Sequence, residues 1–488
     1  MSVLWILFPP LIAAALAGIR SGKAWMPAVT AISCLIVLGG TLHMASVVSA
    51  GGSLTAGLSA AWLSWIAVDG LSALILVLIA FVSCTAALYS IGYMAHGEPT
   101  SGKLRLYYAN YNLFVFSMLA IPLLAEPTLV WIVVELTTLC SALLVSFENT
   151  SEALEAAWKY VILSLMGAGF ALFGFLVLFA AMHAGGGGSY TWAGLVEAAP
   201  RMPPLLMQTS FLLILIGLGT KVGLVPMHTW LPDAHSQAPS PVCALLSGIE
   251  TTSILYVILR LFPVMHSVPG AHAERWAVVL GLISVGTAAF LLLQVHDYKR
   301  MFAFSTVEHM GIILTAIGLG ASAADYGAMQ QIVSHAVTKS FCFFAAGAVL
   351  LAVGTREIGS VRGLIRRAPL AGAALVFGGL GITGAPPLAV FLSEFAILKA
   401  GLASGHYAAS GLLAIFIVIA FFGVMVHVNR MVFGAAEGAA EPEAPADRLP
   451  FSVVLVLALA AVPVLVLGLY LPAPLHDLLV SAAAAMTR

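Results

Sequence analysis

Stretch after stretch of this chain is apolar for about twenty residues, the length that crosses a bilayer as a helix. Fourteen candidates lie at 2–19, 26–49, 67–92, 106–124, 127–147, 157–182, 209–227, 241–262, 275–294, 301–320, 327–353, 370–400, 407–433 and 450–471. Hydrocarbon offers no hydrogen-bond partner to a backbone, so an open strand of this kind would leave N–H and C=O groups unpaired. Each run is therefore expected to be a helix, and the fold an all-α integral membrane protein of about fourteen transmembrane helices. Composition agrees: charged residues make up 8% of the 488, where soluble domains carry roughly 25%. A net charge of −1 argues against a nucleic-acid partner.

The N-terminal MSVLWILFPPLIAAALAG lacks a basic leader and is expected to be retained as the first span. Cys34, Cys84, Cys140, Cys243 and Cys342 all sit in apolar runs, with no CxxC among them. Metal clusters need thiolates at short spacing, so no cofactor is expected in this chain. The four glycines Gly185–Gly188 open a longer loop, and the tract 434–448 is an acidic linker before the last span. Thirteen Lys and Arg follow odd-numbered spans, against three near the other ends. By the positive-inside rule the odd loops are cytoplasmic and both termini lie outside the inner membrane.

Charges inside the spans carry the functional signal. Glu135, Lys221, Glu250, Glu308, His309, His335, Lys339, Glu394 and Lys399 fall in apolar runs. Each costs roughly 2.5–3.5 kcal/mol at mid-membrane, and such residues mark ion paths when they face one another. Two spans are also interrupted. Pro226 and Pro232 are expected to break the seventh, just after Lys221, and Gly384, Pro386 and Pro387 the twelfth, just before Glu394. Unwound backbone survives only beside protein or a water cavity. Two breaks five spans apart imply inverted five-helix repeats. The domain reading is 1–105 for three N-terminal helices, 106–262 and 263–433 for the repeats, and 434–488 for the linker and last helix.

The stretches VWIVVELTTL (130–139), KVGLVPMHTWLPDAHSQAPSPV (221–242), HDYKRMFAFSTVEHMGIIL (296–314), VSHAVTKSFCFFAAG (333–347) and GAPPLAVFLSEFAIL (384–398) carry a resemblance. The chain resembles the antiporter-like proton-translocating subunits of complex I, Mrp antiporters and membrane-bound hydrogenases. In wording it is most similar to the F-type subunit of hydrogenase and formate hydrogenlyase complexes. The resemblance covers roughly residues 60–435. It implies a proton relay in which Glu135 matches the fifth-span glutamate and Lys221 the broken-helix lysine that pairs with it. It further implies half-channel and axial roles for His309 and His335, and makes Glu394 the charged residue of the second broken helix. The basic residue of the eighth span falls on Thr252 here, with Glu250 two positions earlier and about 200° around a helix. Glu250 is then expected to pair with a neighbouring base, Lys221 or Lys339.

The chemistry suits the types present. A buried amine holds its proton only while a carboxylate stays close, and at about 4 Å that attraction is roughly 4 kcal/mol at an effective dielectric of 20. Histidine passes protons near neutrality, and His335 and Lys339 share a helical face. His228, Asp233 and His235 are read as a gate or as loop and capping groups, Lys159 as a snorkelling end, and Asp69 as a helix-start charge. The proton-relay set is thus Glu135, Lys221, Glu250, His309, His335, Lys339, Glu394 and Lys399. Three functions share such a relay: a subunit of a hydrogenase-linked or NADH/quinone oxidoreductase-like complex, a Na⁺/H⁺ antiporter subunit, or a carbon-uptake module. In the first, iron–sulfur, nickel–iron or flavin centres are expected only in partners, which form other membrane subunits and a peripheral electron-transfer arm.

Overall fold

The computed structural model describes residues 3–19, 22, 25–51, 54–55, 65–97, 99–435 and 449–486. Helices run in the order α1 (Val3–Ile19), α2 (Trp25–Ser49), α3 (Gly70–Tyr93), α4 (Ser101–Leu123), α5 (Pro127–Val145) and α6 (Ser151–Ala184). A short α7 (Trp192–Ala198) precedes the broken pair α8 (Pro204–Val222) and α9 (Trp230–Gln237), then α10 (Ser240–His266). There follow α11 (Ala273–Leu292), α12 (Tyr298–Gly318), α13 (Ser322–Val353) and the second broken pair, α14 (Pro369–Ile382) and α15 (Ala389–Ala403). The chain continues through α16 (Tyr407–Phe433), α17 (Phe451–Leu469) and α18 (Ala473–Ala484). Leu54–Thr55 and Ala67–Val68 pair antiparallel before α3.

Among the described residues twelve segments are long and apolar enough to cross a membrane, with Val3–Ile19 and Pro369–Ile382 shorter. Their burial sorts centre from rim. The most apolar window of α10 is 100% buried and that of α12 94%, whereas α16 and α17 reach 33%. The rim presents Phe170, Phe422 and Phe451 outward, as lipid contact requires. Lipid gives apolar helices no reason to associate, so close backbone packing must. Gly217 on α8 lies against α6 so tightly that a Cβ would meet Gly167 O and Ala171 N at 2.5 Å.

Helix starts follow from caps. Thr100, Glu126 and Thr150 each accept a backbone N–H three residues on, satisfying donors a helix start leaves open. Asp297 does the same for Lys299 N at 2.7 Å and Arg300 N at 3.1 Å.

Several expectations are corrected. The seventh span breaks at Gly223–Pro226, and Pro232 sits inside α9, in the first turn where proline is tolerated. The glycine-rich loop leads into α7. The amphipathic α18 was not expected; it folds back so that Ser481 rests on Gly70 of α3. Of the acidic linker only Gly434 and Ala435 are described; the rest, with Arg20, Lys23 and Arg448, lies outside the described residues.

Candidate functional site

Both breaks begin alike. Gly223 and Gly384 adopt positive φ (87° and 69°), which only glycine takes without strain, each three residues before a proline, Pro226 and Pro387. Leu224 N and Ala385 N bond back to Gly219 O and Leu380 O, closing the helix ends. Side chains add to the closure: Trp230 Nε1 donates at 2.7 Å to Thr220 O, which Gly223 N also reaches at 3.3 Å, and His309 Nε2 lies 2.9 Å from Ile382 O. Val225 N donates to Ser284 Oγ at 3.1 Å.

Beside the first break lies a buried ion pair. Lys221 Nζ is 3.0 Å from Glu250 Oε1, and both side chains are under 4% exposed. The ammonium also donates to Thr138 Oγ1 at 2.7 Å and Tyr160 OH at 2.8 Å, so its three protons are used. The Tyr160 hydroxyl donates to Glu250 Oε1 at 3.0 Å and meets Ser141 Oγ at 2.8 Å, while its ring lies against Trp230. Glu135 is near but outside this knot, and neither of its oxygens has a partner among the described residues. The expected Glu135–Lys221 pair is therefore not formed, because Glu250 holds the lysine.

Glu250 reaches Lys221 from a wide turn of α10, Leu246–Glu250, whose backbone is π-helical. Such a turn holds one extra residue and re-aims the side chains that follow, and it recurs at functional sites. Thr252 only bonds its own helix, at Gly248 O. The same turn faces the second half. Ser247 Oγ meets Thr306 Oγ1 at 2.5 Å, and Ser247 O lies 3.0 Å from His335 Nε2. The His335 and His309 rings lie beside each other, tilted by 46°, with ring centres 5.1 Å apart. His309 Nδ1 is 3.1 Å from Gln331 Nε2, and Gln331 Oε1 accepts from Ser393 of α15.

Lys339 turns elsewhere. Its amine donates to Phe302 O and, at 2.5 Å, to Ser305 Oγ, and it forms no ion pair among the described residues. Glu308 and Glu394 are buried and likewise unpaired among the described residues. The Glu394 carboxyl lies where a Cβ on Gly384 would be and lines a cavity of about 370 Å³ with Thr383, Phe391 and Phe421. Lys399, expected inside the span, is exposed on α15 and stands apart from these buried groups.

The motif residues after the first break divide. Asp233, in the first turn of α9, pairs with Lys159 at 3.2 Å and with Arg300, near the end of the bundle. Lys299 Nζ donates to Ser236 O at 3.1 Å and Ala238 O at 2.5 Å, cations on a helix C-terminus. His235 is fully buried, with Nδ1 2.7 Å from Leu231 O. Sequence reasoning missed Tyr160, Thr138, Gln331 and Ser393. The one sign was a hydroxyl or amide inside an apolar run, which also occurs wherever a side chain merely bonds its own helix.

Buried acids, bases and hydroxyls strung between two broken helices define a transporter-type membrane protein. The sequence matches the family described as NADH:quinone oxidoreductase/Mrp antiporter, TM, over residues 125–422, and the N-terminus of complex I chain 5 over 63–103. A hydrogenase-4 component F homolog of Methylacidiphilum infernorum is 37% identical over 387 residues, 78% of this chain and 81% of that one. In structure it is similar to a chain of an archaeal membrane-bound sulfane sulfur reductase (TM-score 0.87, 23% identity, 99% and 97% of the two chains). It is similar also to one of the Mrp complex from Dietzia (TM-score 0.86, 19% identity, 99% and 97%). The chain belongs to the NADH:quinone oxidoreductase/Mrp antiporter family of antiporter-like membrane subunits.

Proposed function

We propose that this chain is the proton-translocating subunit of a multi-subunit redox complex of the prokaryotic inner membrane, most closely a hydrogenase-linked one. One observation carries the reading: the buried Lys221–Glu250 pair beside the first break connects through the turn 246–250 to the His335–His309 pair beside the second. In this reading Val3–Ile19 and the pair α14/α15 complete fourteen spans. Residues 106–262 and 263–433 are inverted repeats, and the odd-numbered loops and Asp233 face the cytoplasm. Glu135, with free carboxylate oxygens, takes up the proton. Lys221 and Glu250 exchange it as the pair opens and closes, His335, His309 and Lys339 pass it on, and Glu394 releases or receives it at the second break. Electron carriers reside in partner subunits, and other membrane subunits and a peripheral arm complete the assembly.

The test is to purify the native complex, identify its subunits by mass spectrometry, and follow proton uptake in proteoliposomes. Glu135→Gln keeps the shape and removes the titrating group; wild-type pumping in that variant would remove Glu135 from the path. A second reading, a Na⁺/H⁺ antiporter subunit, rests on the likeness to the Mrp complex chain. Sodium-dependent transport without redox turnover, and small antiporter subunits in the purified complex, would favour it.

A further inference from the structure

At the end of the bundle opposite Asp233, residues from α7, α18 and the start of α3 surround a cavity of about 990 Å³. Its floor is an ion pair joining α3 to α10. Arg260 Nη2 donates to Asp69 Oδ1 at 2.6 Å, and Nη1 to Oδ2. The same guanidinium donates to Ser72 Oγ at 2.6 Å and, through Nε, to Tyr256 OH at 2.9 Å, with the Tyr256 ring 4.9 Å beneath it. Ser72 Oγ and Tyr256 OH meet at 3.0 Å. The arginine side chain is 10% exposed and the aspartate 45%, so the carboxylate faces the cavity and the guanidinium the bundle.

Below the pair, α10 carries Tyr256, Ser253 and Glu250 toward Lys221, and Glu250 lies about 15 Å along the helix from Arg260 at 1.5 Å per residue. The cavity wall is largely apolar and its charged floor is this pair, with the hydroxyls of Ser72 and Tyr256 beneath; a pair that only locked α3 to α10 would have no need of those two hydroxyls.

We propose that this cavity is a water-filled port of the first repeat and that the Asp69–Arg260 pair is its gate, separating bulk water from Glu250. This rests on the proton-relay reading and adds to it a second exchange point with bulk water, at Glu250, beside the one at Glu394. When the guanidinium leaves Asp69, water from the port reaches the interior. The O–H bond of the Glu250 carboxyl then breaks, the proton passes to that water, and the carboxylate returns to Lys221. A fixed cation across the closed path opposes the return of protons. The gate also resists acid. Partial burial works to raise the Asp69 carboxyl, but the charge and hydrogen bonds of Arg260, with those of Ser72, outweigh it and hold it at about 2. The other charged groups on the cavity wall, His476 and Asp477, sit on α18. An outer medium several pH units above that value leaves Asp69 ionised and the pair closed.

The test uses a membrane-impermeant cationic thiol reagent on the whole complex in sealed vesicles of both orientations, with labelling read at the residue by mass spectrometry. Val196→Cys places a thiol on the cavity wall and Ser253→Cys one turn below Tyr256. From one side only, residue 196 should label in every background. Residue 253 should be protected, and Asp69→Asn should speed its labelling by about tenfold or more, as a local opening does. Arg260→Lys, which keeps a cation but loses the fork, should give a smaller increase and serves if Asp69→Asn does not assemble. Failure of residue 196 to label from either side, or labelling of 253 indifferent to both gate variants, overturns the proposal. Labelling needs no transport, so this outcome is separate from failure of the relay itself.

Discussion

The two broken helices share a sequence plan and hold their charges in opposite ways. In each, a positive-φ glycine precedes a proline by three residues, and a carboxylate follows seven residues after it: Asp233 in the first, Glu394 in the second. Asp233 lies at the bundle end and is tied to Lys159 and Arg300. Glu394 is buried beside its glycine, unpaired among the described residues, on the wall of a cavity. The lysines invert the same contrast. Lys221 at the first break is locked to Glu250, Thr138 and Tyr160, while Lys339 in the second half has only a carbonyl and a hydroxyl. One half stores its charges as a closed pair, and the other keeps acids and base apart. A paired charge is stable where it is, and breaking the pair costs the desolvation of what remains. On the proton-relay reading, the first half would hold a state and the second change one.

The largest effect should come from breaking the closed pair. Lys221→Ala leaves Glu250 buried with a lone tyrosine, so proton transport should fall by about a hundredfold or more and stability by about 3–5 kcal/mol. Adding Glu250→Gln should recover much of that stability and none of the transport. A double variant no more stable than Lys221→Ala would mean that the pair is not what the fold relies on.

Glu250→Gln alone retains the shape and the bonds from Lys221 and Tyr160. Transport should drop by about a hundredfold with a smaller loss of melting temperature. Normal transport with a lower melting temperature would reduce Glu250 to packing. Glu394→Gln sharpens the contrast, since no pair is broken. Pumping should uncouple from redox turnover while stability stays within about 0.5 kcal/mol of wild type. A stability loss as large as that of Lys221→Ala would contradict the open state drawn for the second half.

His309→Phe orphans the carbonyl that the second break leaves behind, Ile382 O, at about 1–3 kcal/mol by chemical denaturation in detergent; Trp230→Phe leaves Thr220 O its bond from Gly223 N and should cost less. Only the histidine variant should also slow transport. Smallest of all, Thr252→Ala and Lys399→Ala should leave transport unchanged, and Lys399→Ala stability as well, while truncating the buried Thr252 should cost a small cavity. A clear transport defect in either would restore a residue that the geometry sets aside.

Much was legible beforehand, for physical reasons. Runs of about twenty apolar residues can only be helices in lipid, so the all-α architecture followed from hydropathy. Glycine and proline stand close together at 223–226 and 384–387, a combination that disfavours a continuous helix, so both breaks were readable near Gly223–Pro226 and Gly384–Pro387. Buried charges are costly enough to be noticed, and eight of the nine flagged inside the spans lie within the bundle, with Lys399 alone exposed. Partner choice was readable only in part: Glu250 was expected on Lys221 or Lys339, and the structure takes Lys221. The resemblance assigned Lys221 to Glu135, but one extra residue in the turn 246–250 rotates Glu250 onto it, and no local sequence rule announces a π-turn. Nor could sequence join Asp69 to Arg260, 191 positions apart, or fold α18 back onto α3. Hydropathy acts along the chain and sets which segments enter the membrane. Ion pairs act across space over a few ångströms, so which charges meet was decided only when the helices packed.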